Sequence, residues 1–275
     1  MEIDLKNNFL EEDYEDLKFL LVSNIRSKII ISLKKGPKKL SNIREDTEIS
    51  SSTILHGISQ LESRNLVSRS GESYLLTSIG NIISLKLINL IKYWHTINLF
   101  ENFWKNHNIN EIPVEFLRTL DVFSNAYIIE STKENIENPF TTYLEMIADL
   151  NEFKAILPIF FPRHLDAIQF MIKNERKVEL ILTDEIYNSL LQHFSKKEFT
   201  KSIKEGRFNL WKIDQPIKLA SMFSDNFISL GLFLFNGEYD PSKLLLSHDK
   251  EAITWGKNLF EYYKEKSEKI DIKNL

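Results

Sequence analysis

The most chemically suggestive run in the chain is His248, Asp249, Lys250, which supplies the first two members of an H-x-K-x-x-x-x-D pattern. In phosphodiester-cleaving enzymes that pattern brings a histidine nucleophile, a phosphate-holding lysine and an aspartate onto one phosphoryl group. Here Trp255 stands where the aspartate belongs, and the tripeptide opens a helix with Ser247 as its expected N-cap. Solvation of a helix start accounts for such residues without any catalysis. None of the eight glycines forms a phosphate-cradling motif. The six histidines (His56, His95, His107, His164, His193 and His248) lack metal-ligand spacing, and the absence of cysteine removes thiolate catalysis, disulfides and zinc fingers. The sequence therefore gives no catalytic residue, no metal site and no cofactor.

A second polar set has a different chemistry. Ser50, Ser51, Ser52 and Thr53 open a segment to Arg64 in which Ile54, Ile58 and Leu61 recur on one helical face, while Ser51, Ser52, Leu55, His56, Ser59 and Gln60 lie opposite. Short polar side chains at a helix start suit base edges and phosphates, because that end also carries unsatisfied amides and a positive dipole. The elements around it are ordered accordingly. Leu17, Leu20, Leu21, Ile25, Ile29 and Leu33 predict one helix over residues 14–35, stopped by Gly36 and Pro37; a short helix from Ser41, with Leu40 and Ile43 inward, turns near Asp46 to Ile49. After the serine-rich helix, Leu66 to Arg69 and Tyr74 to Thr77 predict a hairpin turning through Gly71. Helix, helix, turn, helix, hairpin is the order of a winged helix, whose third helix enters the major groove.

The phrase LSNIREDTEISSSTILHGISQLESRNLVSRSGESYLLTSIG resembles the winged helices of bacterial and archaeal regulators of the arsenical-repressor-like class. In that class a serine-rich recognition helix runs into a strand and then a leucine-threonine, two residues, glycine, here Leu76 to Gly80. The resemblance implies DNA recognition through Ser51, Ser52, Thr53, Leu55, His56, Ser59 and Gln60. Lys38, Lys39, Arg69 and Tyr74 would touch phosphates or the minor groove. Gly57 departs from the larger residue usual there, a change expected to loosen the helix by up to about 1 kcal/mol.

From Gly80 to about His107 the chain predicts a connecting helix with a stripe of Ile83, Leu87, Leu90, Ile91, Trp94, Ile97, Phe100 and Trp104, broadened by Ile82, Leu85, Ile88 and Phe103. So wide a face is expected either to pack on the second domain or to pair two copies, and two-fold operators favour the homodimer. Asn89, Lys92, His95 and Asn98 interrupt it too often for a membrane span. Beyond Ile112, short apolar strands alternate with helices, predicting an α/β domain. Strands are expected at 126–129, 154–159, 178–182, 208–211, 219–223 and 227–235, and a closing helix at 249–266.

The phrases IPVEFLRTL, AILPIFFPRHLDAI, KVELILTDEIYNSLL and FSDNFISLGLFLFNGEYDPSKLLLSHDKEAITWGKNLFEYY resemble the domain that follows the winged helix in an archaeal regulator family concerned with methanogenesis and filament growth. More distantly, VELILT and FSDNFISLGLF look like a phospholipase-D-like half-domain stripped of catalysis. The expected organisation is thus a winged helix over 1–79, a connecting or dimerisation helix over 80–110, and an α/β effector domain over 111–275. A small-molecule effector would sit where strand ends and loops converge, near Arg163, His164, Thr183, Asp184 and Asp225. Arg163 would pair an anionic ligand, or else form a structural ion pair with Asp184 or Asp225.

Bulk properties agree with a folded regulator. The chain of 275 residues is 43% hydrophobic and 27% charged, with a net charge of -4, so it is not a protein that coats nucleic acid indiscriminately. Yet from Asn24 to Ser78 nine basic residues (Arg26, Lys28, Lys34, Lys35, Lys38, Lys39, Arg44, Arg64, Arg69) face five acidic ones. The acidic opening has no signal-peptide pattern, so a cytoplasmic location is expected. The alternatives are a phospholipase-D-like phosphodiesterase with an accessory winged helix, and a winged helix used for protein contact.

Overall fold

A computed structural model describes residues 9–159, 161–193 and 196–271. The chain divides into two compact units, Met1–Lys92 and Tyr93–Leu275.

The first unit opens with α1 (Phe9–Leu21) and α2 (Asn24–Leu33), where one continuous helix is expected from the apolar spacing. The break is a cap. Ser23 has extended backbone, and its hydroxyl accepts from the Arg26 amide at 3.3 Å, the geometry that serine prefers at a helix start. Leu17 and Leu21 are consequently exposed, while Ile29, Ile30 and Leu33 carry the buried stripe. Gly36, with φ of 125°, turns the chain into β1 (Lys38–Lys39) and α3 (Leu40–Thr47), which ends on Glu48 in the left-handed region. Then follow α4 (Ser51–Ser63), the hairpin β2 (Val67–Ser70) and β3 (Ser73–Leu76), and α5 (Ser78–Leu99). β3 pairs antiparallel with both β2 and β1, in the order β1-β3-β2, with Lys38 opposite Tyr74. The helices close on Ile29, Ile30, Leu33, Ile43, Ile54, Ile58 and Leu61, all buried; each contributes about 1.5–3 kcal/mol by leaving water.

The leucine-threonine-glycine signature has a packing reason. The Thr77 hydroxyl donates to the Asn65 carbonyl at 2.6 Å and accepts from the Gly80 amide at 3.0 Å, so it caps α5. The Thr77 amide donates to the Leu66 carbonyl at 3.1 Å. That same carbonyl oxygen occupies the space a Cβ on Gly80 would need. Only glycine lets the helix start this close to the hairpin base.

In the second unit the expected long helix ends at Leu99, and α6 (Glu101–Asn106) restarts after Phe100. The remaining elements are α7 (Val114–Leu117), β4 (Tyr127–Glu130), α8 (Asn138–Ala148), β5 (Glu152–Leu157), α9 (Pro162–Lys173), β6 (Lys177–Thr183), α10 (Asp184–His193), α11 (Lys196–Lys204), β7 (Phe208–Ile213), β8 (Leu219–Phe223), β9 (Ile228–Leu232), β10 (Lys243–Ser247), α12 (Lys250–Lys264) and β11 (Glu268–Lys269). They build one eight-stranded sheet ordered β11-β7-β6-β5-β8-β9-β10-β4. β5, β6 and β7 are parallel; every other pairing is antiparallel. Strand alternation sorts the core onto two faces. Ile156, Ile181, Trp211, Leu219, Leu230 and Leu245 pack with Trp255, Leu259 and Phe260 of α12. Ala155, Leu180, Leu182, Leu210 and Met222 face Ile147, Ile168, Met171 and Leu190 of α8, α9 and α10.

The second-domain signature residues hold this sheet at its turns. Asp240 Oδ2 lies 3.1 Å from His107 Nε2, while His107 Nδ1 donates to the Phe103 carbonyl at 2.6 Å, all out of solvent. The other oxygen, Asp240 Oδ1, accepts from the Ser242 amide at 2.9 Å. Trp255 Nε1 donates to the Phe116 carbonyl at 3.1 Å, and Gly256 lets Ile228 reach α12. The helix N-cap expected at Ser247 is Asp249, whose amide donates to the Ser247 hydroxyl at 3.1 Å. The strand expected over 227–235 stops at Leu232, and β10 is an additional strand.

Candidate nucleic-acid interface

Ser50 caps α4, its hydroxyl lying 3.4 Å from the Thr53 amide, 2.7 Å from Thr53 Oγ1 and 3.2 Å from Ser52 Oγ. Ile54, Gly57, Ile58 and Leu61 face inward. At 3.6 residues per turn, that leaves Ser52, Leu55, His56 and Ser59 outward, and all four are exposed; Ser51 and Thr53 are half-buried. Leu55 keeps 43% of its surface, a free apolar contact on an otherwise polar face. The expected interface helix therefore presents small hydroxyls to solvent, beside the N-terminal amides that the Ser50 cap does not take.

Gly57 is not a loosening of this helix. A Cβ there would lie 2.8 Å from Ile29 Cδ1 and 3.1 Å from Ile25 Cγ2, so the missing side chain lets α4 press against α2. The close approach offsets the helix-propensity cost of glycine.

The other expected contacts divide. Gln60 is half-buried and already used: its Oε1 accepts from Arg26 at 2.8 Å and its Nε2 lies 3.1 Å from His56 Nε2. It positions His56 and α2 rather than pointing outward. Tyr74 is buried in the core of the unit, so its expected phosphate contact is corrected to a packing role beneath Arg69, whose guanidinium lies 5.9 Å from the ring. Lys38 is paired with Asp46, and the ammonium, aided by the Ser32 hydroxyl, holds that carboxyl below its usual range. Lys39 pairs with Glu72 at 2.6 Å, both exposed. Either lysine reaches a phosphate by exchanging one anion for another. Arg69 is exposed on β2, with Nε donating to the Gly71 carbonyl at 3.0 Å and no carboxylate partner among the described residues.

Two basic residues of the segment serve the fold instead. Arg26 and Arg64 both lie over the Phe19 ring, at 4.0 Å and 4.2 Å from its centroid, and Arg64 also pairs with Asp16. Arg44, exposed on α3, forms no ion pair among the described residues. In the sequence Arg44 stands out only as part of the basic count of residues 24–78; its place on the helix before α4 is the signal that singles it out.

The described acidic candidates for an effector site, Asp184 and Asp225, do not come together. Asp184 begins α10 at the carboxyl end of β6 and pairs with Lys212 at 3.1 Å. Asp225 follows β8, whose Phe223 lies opposite Lys154 near the amino end of β5, and it pairs with Lys257 at 2.8 Å. The two aspartates thus stand at opposite ends of the parallel strands. The Lys257 ammonium depresses the Asp225 carboxyl, and the Asp184 carboxylate raises Lys212. Thr183 is half-buried at the end of β6. The side chains of Arg163 and His164 lie outside the described residues. The histidine of the H-x-K run is engaged: His248 Nδ1 lies 2.9 Å from the Asn226 carbonyl and Nε2 3.2 Å from the Tyr127 hydroxyl. Among the described residues no three His, Asp or Glu side chains gather as metal ligands, and no helix is long and apolar enough to cross a membrane.

Against known proteins, residues 14–95 match the family model for the N-terminal domain of the methanogenesis regulatory protein FilR1, and residues 136–266 match that for its middle domain. The methanogenesis regulatory protein FilR1 of Methanothrix harundinacea (strain 6Ac) is 27% identical over 258 residues, which is 93% of this chain and 58% of that protein. The chain thus spans less than two thirds of that relative's length. Among solved structures, TrmBL2, an archaeal chromatin protein with a novel mode of DNA binding, aligns over 93% of this chain and 99% of its own at 16% identity and a TM-score of 0.42. Quinone-bound YodB from B. subtilis aligns over 30% of this chain and 94% of its own at 26% identity and a TM-score of 0.29. These two scores are too low to support an argument.

Proposed function

We propose, from the premise that this chain carries both the N-terminal and the middle domain of the methanogenesis regulatory protein FilR1, that it is a sequence-specific DNA-binding transcriptional regulator. The observation that carries the reading is the outward face of α4: Ser52, Leu55, His56 and Ser59 exposed on a capped helix next to an antiparallel hairpin. The first unit then acts as a winged helix-turn-helix, with α3 and α4 as its helix pair, α4 in the major groove and Arg69 of the hairpin on the phosphates. The relative's name makes promoters of methanogenesis genes the first to test, and DNA as partner makes a cytoplasmic location the natural one.

Binding is expected to fall with salt by about 0.9 log units per log unit for each neutralised phosphate. Arg69→Ala should weaken operator and random duplex alike and reduce that slope by about one contact, whereas His56→Ala should lower discrimination at one base pair by about 1–3 kcal/mol. Fluorescence anisotropy on matched and single-mismatch duplexes separates the two. Equal losses on both duplexes for His56→Ala would remove it from base reading.

We read the protein as a homodimer. Ile79, Ile82, Leu85 and Leu90 of α5 are all more than 40% exposed and recur along one side of the helix, a stripe whose burial in a two-fold pair would match a palindromic operator. Ile82→Glu with Leu85→Glu should sediment as a monomer where the native chain sediments as a dimer; a dimer in both would place the pairing elsewhere. The second unit would serve as effector domain, and its sheet is read as a phospholipase-D-like half-domain without catalysis. The hydrogen bonds at both ring nitrogens of His248 favour that reading over a phosphodiesterase.

A further inference from the structure

The α8 side of the second sheet is not filled everywhere. Where β5, β6 and β7 present Leu157, Leu180, Leu182 and Leu210, the antiparallel half presents the small Ala220 and Ser229 beside Met222 and Leu244. These two small residues leave a gap beneath the start of α8. The result is a cavity of about 570 Å³, within the range that holds small-molecule ligands.

Its walls are aromatic. Phe140 stacks with Tyr143 at 6.1 Å and meets Phe161 at 6.2 Å, and Phe161 meets Tyr239 at 6.2 Å. Tyr239 lies over the bare Cα of Gly231, which explains why glycine stands in the middle of a strand. Among the described lining residues the cation is Lys243, already matched to Glu130 at 3.1 Å. Burial pushes the Tyr143 and Tyr239 phenols well above the ordinary tyrosine range, so they remain neutral. Ser221 and Ser229 donate to the backbone of the paired strand, at 3.1 Å and 3.4 Å. Among the described lining residues, flat rings, neutral hydroxyls, the Glu137 carboxylate and a lysine already paired describe a site that rejects anions.

We infer that the cavity between α8 and strands β8, β9 and β10 binds a neutral small molecule with a flat apolar body and one hydroxyl or carbonyl group. The inference rests on the regulator reading only for the name effector; binding itself is measured without DNA. It also moves the ligand away from Asp184 and Asp225 to the aromatic cavity.

Calorimetry of the full chain tests it with 2-naphthol as the neutral probe and 2-naphthalenesulfonate as its charged counterpart. Saturable one-to-one binding of 2-naphthol is expected, with the sulfonate at least about tenfold weaker because a buried unpaired anion is penalised. Ala220→Met, which fills the gap from β8, should weaken 2-naphthol at least about tenfold by occupying its space. Tyr143→Phe with Tyr239→Phe keeps the walls and removes the hydroxyls, so it should weaken 2-naphthol several-fold even if the filled variant does not fold. No saturable binding, a preference for the sulfonate, or full affinity in the double phenylalanine variant would overturn the inference. Naphthol binding with no DNA affinity would instead reject the regulator reading alone.

Discussion

Replacing Ser52 and Ser59 together by glutamate should cut DNA affinity at least about a hundredfold while leaving the fold intact. Both positions are exposed on α4 and neither touches the Ile54, Ile58, Leu61 core. Glutamate is a good helix former, and at position 52 it lies in the first turn, where a carboxylate favours the helix dipole. Folding should therefore change by less than about 1 kcal/mol. Against DNA the same carboxylates face phosphates, and a like-charge juxtaposition at an interface costs several kcal/mol; about 2.8 kcal/mol in total already gives a factor of about a hundred. Anisotropy at physiological salt, with circular dichroism as the folding control, reads the result. Undiminished affinity would mean that α4 does not enter the groove.

The second large effect belongs to Gly80. Gly80→Ala should destabilise the first unit by about 3 kcal/mol, the scale of backbone overpacking, because the added Cβ collides with the Leu66 carbonyl. Alanine's better helix propensity returns only about 1 kcal/mol, and a main-chain carbonyl held between the Thr77 amide and the hairpin base has nowhere to move. Hydrogen exchange in the full chain localises the loss. Peptides covering α4 and the hairpin should exchange about a hundred times faster, while those from β5 to β8 are unchanged. Unchanged exchange in the first unit would show that the α5 start relaxes away from the hairpin.

Much of this frame is legible in the residues. Gly36, Ser50 and Gly71 mark turns and a helix start that the chain adopts where expected, because each acts through its own backbone or the next few amides. What escapes local pattern is competition between partners. Ser23 breaks the first helix although the apolar spacing runs through it, because a cap residue outweighs a stripe that one end of the helix can leave exposed. Tyr74 and Gln60 read as polar contacts from their types; the first is taken by the core and the second by Arg26, neither of which spacing within one element reveals. Lys38 and Lys39 count as free charge in sequence and are paired in space. β10 passes unnoticed because KLLLS is apolar on both faces, without the alternation that marks a half-buried strand.

The effector site shows the same limit more sharply. Strand ends and charged residues point to Asp184 and Asp225, yet both are occupied by lysines at opposite ends of the sheet. The cavity arises instead from small residues on two neighbouring strands, Ala220 of β8 and Ser229 of β9, a coincidence of register that neither segment displays alone.

Footprinting the purified full chain on its own promoter region across a salt series tests the central claim most directly. The account predicts a protected pseudo-palindrome, affinity that falls steeply as salt rises, and loss of protection in the Ser52→Glu, Ser59→Glu chain. Absence of any footprint at low salt, or one that survives those two carboxylates, would contradict it.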